Sequence, residues 1–290
     1  MAKLLTGREA ASALIAALHR RTAALAERGV TPKLAILRCG ENESDGAYLR
    51  SAQQRAALCG VVVEVTSLPE TVSREALLSA IDDINCDASV HGCLLLRPLP
   101  AHLRNAENAI CNRLLPKKDV DGMTDVSAAG VYLGRTTGFA PCTAEAVTVL
   151  LDHYGIDCAG KRAAVIGRSP VVGRPAAMLL LARNATVTVC HTRTRALSAV
   201  TREADIIVSA AGAAGCLTAA HVRPGQTIID VSVNWDAAKN TIVGDADFDT
   251  AASIVDAITP VPGGVGAVTS TVLMRHVVQA AERTLEGGNL

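Results

Sequence analysis

The chain has 290 residues, comfortable for two domains, and 49% of them are hydrophobic while only 2% are aromatic, so its core is to be built from Ala, Val, Leu and Ile. Its 28 basic and 28 acidic side chains cancel, which excludes a global field that would recruit nucleic acid or a membrane surface. No apolar run reaches the roughly 18 residues of a membrane span, and the start MAKLLTGREAAS lacks the apolar stretch and cleavage site of a signal peptide.

Residues 8–28 repeat apolar side chains at helical spacing (Ala11, Leu14, Ile15, Leu18, Ala23, Leu25) and stop at Gly29. PKLAILRCG (32–40) reads as a buried strand, and the helix that follows, from about Asp45 to Leu58, ends at Gly60. VVVEVTSLP (61–69) is the next strand, Ser73 caps a third helix, and VHGCLLLRPLP (90–100) is a strand stopped by prolines. Strands and helices alternating at this spacing imply parallel βαβ units. The turn-rich GVYLGRTTGFAPCT (130–143) breaks the alternation and is placed as a linker. Thr143 then caps a helix to about Tyr154. RAAVIG (162–167), a helix through Leu181, ATVTVC (185–190), ADIIVSAAG (204–212), GQTIIDVSV (225–233) and AITPVP (257–262) form a second alternating series. A last helix, about Thr269–Leu285, is expected to pack on the first domain. The fold class is therefore α/β with two parallel-sheet domains, the second of Rossmann type. The first spans 1–140, completed by 267–290, and the second spans 141–266.

Nine scattered cysteines, odd in number and without a CxxC, read as reduced packing residues of a cytoplasmic protein. Seven histidines show no HxxxH or HExxH spacing, so no protein-ligated metal is expected.

AAVIGRSPVVGRP follows a predicted strand and opens a helix. It reads GxSxxxGxP, with Gly167, Ser169, Gly173 and Pro175, and it offers free helix N–H groups to an anion. Alone, the pattern fits a purely structural strand-to-helix turn equally well. The charge around it adds information. Where a cofactor with a free ribose 2′-OH would meet an acid, at the end of the second strand, CHTRTR supplies Arg193 and Arg195. Between Cys158 and Arg202 there are seven arginines, one lysine and no acid. This pattern points to a 2′-phosphate and hence to NADP; a solvated basic face is the alternative.

LPKKDVDGMT (115–124), GFAPCTAEAV (138–147) and ITPVPGGVGAVT (258–269), together with YLRSAQQRA and GCLLLRPLP, resemble the methylenetetrahydrofolate dehydrogenase/methenyltetrahydrofolate cyclohydrolase family over residues 33–280. The resemblance implies a homodimer through the nucleotide domain. It places the pterin-holding aspartate of KDVDG at Asp121 and the cleft tyrosine at Tyr48, both counted as catalytic candidates. Asp45, Leu96, Pro262, Gly263 and Gly264 join them around the substrate. It places Gly167, Arg168, Ser169, Gly173, Arg174, His191, Thr192, Arg193 and Gly266 at the cofactor.

Four positions depart from the family pattern. A lysine four residues after the tyrosine reads Ala52, and the glutamine of a VQLPLP-like strand reads Leu96. A serine upstream of the tyrosine reads Asp45, and the proline after PGGVG reads Ala267. Consecutive strand residues face opposite ways, so Arg97 is not expected to stand in for the glutamine. Hydride transfer needs positioning, whereas cyclohydrolysis also needs proton handling worth ~10²–10⁴-fold. The expectation is an NADP-dependent dehydrogenase acting on methylenetetrahydrofolate, with weak or absent cyclohydrolase. An ordinary bifunctional enzyme, or a folate- or NADP-binding paralogue with an altered substrate or no turnover, remain open alternatives.

Overall fold

The computed structural model describes residues 1–40, 43–237 and 240–285, without the side chains of 43–45, 47 and 48. In chain order the elements begin with β1 (Lys3–Leu4), α1 (Gly7–Glu27), β2 (Lys33–Cys39), α2 (Glu43–Cys59), β3 (Val62–Leu68), α3 (Arg74–Cys86) and β4 (Gly92–Leu95). α4 (Glu107–Cys111), α5 (Asp125–Leu133), α6 (Cys142–His153), β5 (Arg162–Ile166), α7 (Gly173–Leu181), β6 (Thr186–Cys190) and α8 (Leu197–Glu203) follow. The chain closes with β7 (Ile206–Ser209), β8 (Thr227–Asp230), β9 (Asn234–Asp236), β10 (Thr241–Val243), α9 (Phe248–Ile254), β11 (Ala257–Ile258) and α10 (Gly266–Leu285).

The chain divides into two compact units, one of residues 13–142 with 270–290 and one of 1–12 with 143–269. In the first, β2 lies between β3 and β4 and all pairings are parallel. β2 is buried along nearly its whole length, as a strand covered on both faces must be, and so it reads as an unbroken apolar run. The edge strand β3 alternates between half-buried and exposed residues. Leu37, Leu77, Ile81, Leu95, Leu99 and Ile110 anchor the core of this unit. Ser73 caps α3 as expected, its hydroxyl accepting from the Ala76 N–H at 3.2 Å.

The second unit carries a six-stranded parallel sheet in the order β1-β11-β8-β7-β5-β6. After β5 the chain goes outward to β6 and then returns to β7 on the other side. The strand order therefore reverses between β5 and β7, and such a switch point leaves a crevice outside the carboxyl ends of the strands, where α/β sheets bind ligands. Ile166, Cys190, Ile207, Leu217, Ile228 and Ile258 fill the core on one side of this sheet.

Three expectations require correction. Residues 1–12 belong with the second unit, because Lys3 and Leu4 extend its sheet by pairing with Ala257 and Ile258. A two-residue strand has no periodicity to read, yet it covers an edge that would otherwise stand open. The first four residues of the supposed linker are helical, since Gly130–Leu133 complete α5, which Thr124 caps at its start and Gly134 closes at φ 64°. Within the helix, Gly130 leaves room for the Thr137 carbonyl, which packs where a Cβ would be. The short helices α8 and α9 and the antiparallel β9–β10 pair interrupt the simple alternation. All nine cysteines are free and seven are buried. No helix among the described residues is long and apolar enough to cross a membrane.

Candidate functional site

KDVDG contains two aspartates with different work to do. Asp119 is fully buried, and its carboxylate accepts from the Met123 N–H at 2.9 Å, the Thr124 N–H at 2.8 Å, and the hydroxyls of Thr124 and Ser127 at 2.7 and 2.5 Å. It builds the turn and fixes the start of α5. Asp121 is therefore released from turn duty. Its backbone is held from below, because the Cys142 thiol donates to the Val120 carbonyl at 3.3 Å and His276 Nδ1 meets the same oxygen at 2.8 Å. The following residue is Gly122 at φ 68°, where a Cβ would press on the Pro141 nitrogen and the Ala140 carbonyl carbon, so only glycine lets this turn lie against the approach to α6.

The Asp121 side chain remains about one-fifth exposed. Burial pushes its carboxyl up to about 6, opposed chiefly by the Arg97 guanidinium. Arg97 Nη2 stands 3.8 Å from Asp121 Oδ2, and Arg97 Nη1 stands 3.8 Å from Glu107 Oε1. Strand alternation argues only that Arg97 does not stand in for the family's glutamine. Arg97 itself lies beyond the strand: β4 ends at Leu95, and the Leu96 N–H to Leu37 carbonyl bond of 2.9 Å is the last rung before the chain turns. Alternation therefore does not decide which way its side chain points, and the structure sets it beside Asp121 and Glu107.

Ala52, on α2, is fully buried, and Leu96 is 8% exposed. The two positions present hydrocarbon only. Tyr48 and Asp45 lie on α2, but their side chains lie outside the described residues.

In the other unit, Gly167 ends β5 at φ 116°, and a Cβ there would collide with the Ala210 carbonyl at the end of β7. This close approach sits at the switch point. A Cβ on Gly173 would in turn strike the Gly167 carbonyl, so the two glycines together make a cradle in which α7 starts tight against the strand end. The Ser169 hydroxyl accepts from the N–H groups of Val172 and Gly173 at 3.1 and 3.4 Å, which leaves its own proton free to donate.

The ends of β5 and β6 are in register, Ile166 beside Cys190, with the Gly167 N–H donating to the Cys190 carbonyl at 2.9 Å. Arg168 and Arg174 on one turn are thereby brought beside the turn carrying His191, Thr192, Arg193 and Arg195. That second turn is closed by His191 N–H to Thr194 Oγ1 at 2.8 Å and Arg193 N–H to His191 Nδ1 at 3.1 Å. Arg162, Arg183 and Arg202 are committed to Glu203, Asp152 and the Val222 carbonyl. The other four arginines are exposed and have no acidic partner among the described residues. Cradle and cations together fit a phosphorylated dinucleotide.

Sequence reading missed Asp245. This fully buried carboxylate accepts from the N–H groups of Ala211 and Ala213, both at 2.8 Å, from the hydroxyls of Ser209 and Ser232 at 2.8 and 2.7 Å, and from Asn234 Nδ2 at 3.2 Å. It ties the loop beyond β7 to the one beyond β8, on one wall of the crevice. The motif GDADF carries it, but nothing in spacing alone marks a carboxylate that serves backbone donors. Pro262, Gly263 and Gly264 form a turn in this unit, with the Gly7 N–H donating to the Gly263 carbonyl at 2.8 Å. Gly266 opens α10 with nothing within 4 Å of where a Cβ would stand. No group of His, Cys, Asp and Glu suited to a metal ion occurs among the described residues.

Comparison with known proteins covers both units. Residues 5–121 match the family described as "Tetrahydrofolate dehydrogenase/cyclohydrolase, catalytic domain", and residues 141–285 match its NAD(P)-binding domain. The bifunctional protein FolD of Carboxydothermus hydrogenoformans is 45% identical over 283 residues, covering 97% of this chain and 98% of that protein. The crystal structure of the bifunctional FolD dehydrogenase/cyclohydrolase from Campylobacter jejuni superposes with a TM-score of 0.94 at 37% identity, covering 98% of this chain and all of that one. The Trypanosoma brucei FolD, solved with NADP cofactor and an inhibitor, gives 0.90 at 33% identity over 99% of both chains.

Proposed function

The chain belongs to the tetrahydrofolate dehydrogenase/cyclohydrolase family, and from that premise we propose that it oxidises 5,10-methylenetetrahydrofolate to the methenyl form with NADP as acceptor, while hydrolysing the product poorly. The observation that carries the reading is the pair Ala52 and Leu96, both buried and both hydrocarbon, where the family pattern has a lysine and a glutamine.

Bound NADP supplies the hydride acceptor. What the protein contributes is placement. Asp121, freed from the turn by Asp119, accepts from the N–H edge of the pterin and fixes its orientation, with the ring of Tyr48 packing on the folate. Gly167, Gly173 and Ser169 hold a phosphate at the start of α7, and Arg193 with its basic neighbours holds the 2′-phosphate. The lone pairs of N5 and N10 expel the hydride, so no side chain has to take a proton in that step. Hydrolysis of the methenyl cation is different. A proton must be managed as the water adduct collapses, and neither Ala52 nor Leu96 can carry one.

A second reading has one observation in its favour. The Asp121 carboxyl, pushed up to about 6 beside Arg97, is poised to exchange a proton near neutral pH, which would preserve the bifunctional activity named for the relatives. Absorbance during turnover with methylenetetrahydrofolate and NADP separates the two. Methenyl product that builds up and decays at the buffer-catalysed rate supports the dehydrogenase reading, and prompt decay sinks it. The resemblance further implies a cytoplasmic homodimer paired through the nucleotide domain. The edge strand β6, with Val189 exposed, suits such pairing, and light scattering tests it.

A further inference from the structure

Arg97 stands where the family's VQLPLP-like segment carries an apolar leucine, and its guanidinium lies between two carboxylates at the same distance of 3.8 Å from each. Charge-assisted hydrogen bonds close to about 2.7–2.9 Å, so Arg97 is locked to neither partner. Asp119 does not compete for it, because both Asp119 oxygens are filled by Met123, Thr124 and Ser127. Asp119, Cys142 and His276 also face Asp121, with the buried thiols of Cys93 and Cys111 behind. His276 Nδ1 is engaged by the Val120 carbonyl at 2.8 Å.

The chemistry of the two possible occupants of Asp121 is the same. A pterin presents its 2-amino group and the adjacent ring N–H as a guanidine-like pair of donors, and a guanidinium presents two N–H groups in the same fork. We propose that Arg97 is a specificity-determining and positioning residue of the folate pocket: it holds the Asp121 carboxylate while the pocket is empty and passes to Glu107 when the pterin edge takes its place. The exchange replaces like donors by like donors, so the Asp121 carboxylate is never left buried without a partner. Glu107, at the first turn of α4, receives the displaced cation on its other edge. This inference rests on the reading of Asp121 as the pterin acceptor, and the experiment separates the two.

The experiment is titration calorimetry of the full chain with folic acid from pH 5.5 to pH 8. At pH 8, Arg97→Leu frees an acceptor for which the guanidinium competes, so affinity rises about twofold or more. Below neutrality the same variant binds more weakly than wild type, because Asp121 has lost the cation that favours its charged form, and the acid midpoint moves up by about one pH unit. The two curves cross, which a merely structural role would not produce. Arg97→Lys returns the midpoint toward wild type. Glu107→Gln lowers affinity at pH 8, since the displaced guanidinium then has no receiver. Arg97→Gln keeps the length and polarity of the side chain and replaces the leucine variant if that one does not fold. If Arg97→Leu or its substitute weakens binding at every pH, or leaves both affinity and midpoint unchanged, the exchange does not occur. Asp121→Asn at pH 8 reports on the premise alone: undiminished binding removes Asp121 as the acceptor, whereas lost binding with a silent Arg97 variant removes only the exchange.

Discussion

At the scale of single residues, the two aspartates of KDVDG show how position in a hydrogen-bond network assigns a role. Asp119 spends its acceptor capacity on the turn, and Asp121 is held in a confined place without those donors. The consequence for stability has a definite sign. Because the folded carboxyl titrates at about 6 and the ordinary value is 3.8, the unfolded chain loses this proton first as pH rises. Stability from this group is therefore present below about pH 4, falls as pH rises towards 6, and stays reduced above. Asp121→Asn is expected to recover as much as ~3 kcal/mol at pH 7.5 and nothing at pH 4, while losing folate affinity; thermal melts at the two pH values check the first half and calorimetry the second. A second residue-scale prediction concerns Arg193, which is exposed on the turn after β6. Arg193→Ala is expected to raise the KM for NADP at least several-fold, as loss of a charge-assisted phosphate contact does, and to leave that for NAD nearly unchanged. Equal effects on both cofactors would place the residue away from the 2′-phosphate.

At the scale of elements, the crevice between β5 and β7 has one wall made by α7 and its glycines and another tethered by Asp245. Asp245→Ala leaves the buried Ser209 and Ser232 hydroxyls without their acceptor, along with the Ala211 and Ala213 N–H groups at the crevice wall, and each buried donor so stranded costs ~1–3 kcal/mol. We expect a clearly lower Tm and a raised KM for NADP, with folic acid affinity unchanged in the surviving folded protein; an unaltered KM would mean that this wall does not bear on the cofactor. The elements also show what the sequence made readable. Parallel strands buried on both faces announce themselves as apolar runs, and β2, β5, β7 and β8 fall where such runs predict them. The seven-residue helices α8 and α9 are too short for a period to stand out from noise. The two-residue β1 is defined only by its pairing with β11. At the site, motif positions such as Asp121 and Gly167 could be read because their chemistry is local. Arg97 and Asp245 could not, because one depends on where a strand stops and the other on donors from two separate loops, 11 to 34 residues away in sequence.

At the scale of the whole molecule, the family's two reactions share one folate, and on the proposed function two of the chain's four departures, Ala52 and Leu96, fall on only one of them. On that reading they remove proton carriers, while Asp121 still places the pterin and Gly167, Ser169 and Arg193 the phosphates. Methenyltetrahydrofolate is therefore expected to accumulate during turnover. Restoring the pair as Ala52→Lys with Leu96→Gln is expected to recover measurable cyclohydrolase. Ala52→Lys alone recovers less, because an ammonium without a partner is poorly oriented and is repelled by the methenyl cation. Since Ala52 has no exposed surface, a lysine there must push its neighbours aside, and both variants are expected to melt lower by ~1–3 kcal/mol. Dehydrogenase activity is expected to survive within about tenfold in every variant, because hydride transfer draws on positioning and not on that proton relay. Absorbance traces that follow NADPH and methenyl product together decide the matter. Wild-type protein that hydrolyses the methenyl compound well above the buffer rate would show that another group, with Asp121 beside Arg97 the first candidate, has taken over the proton.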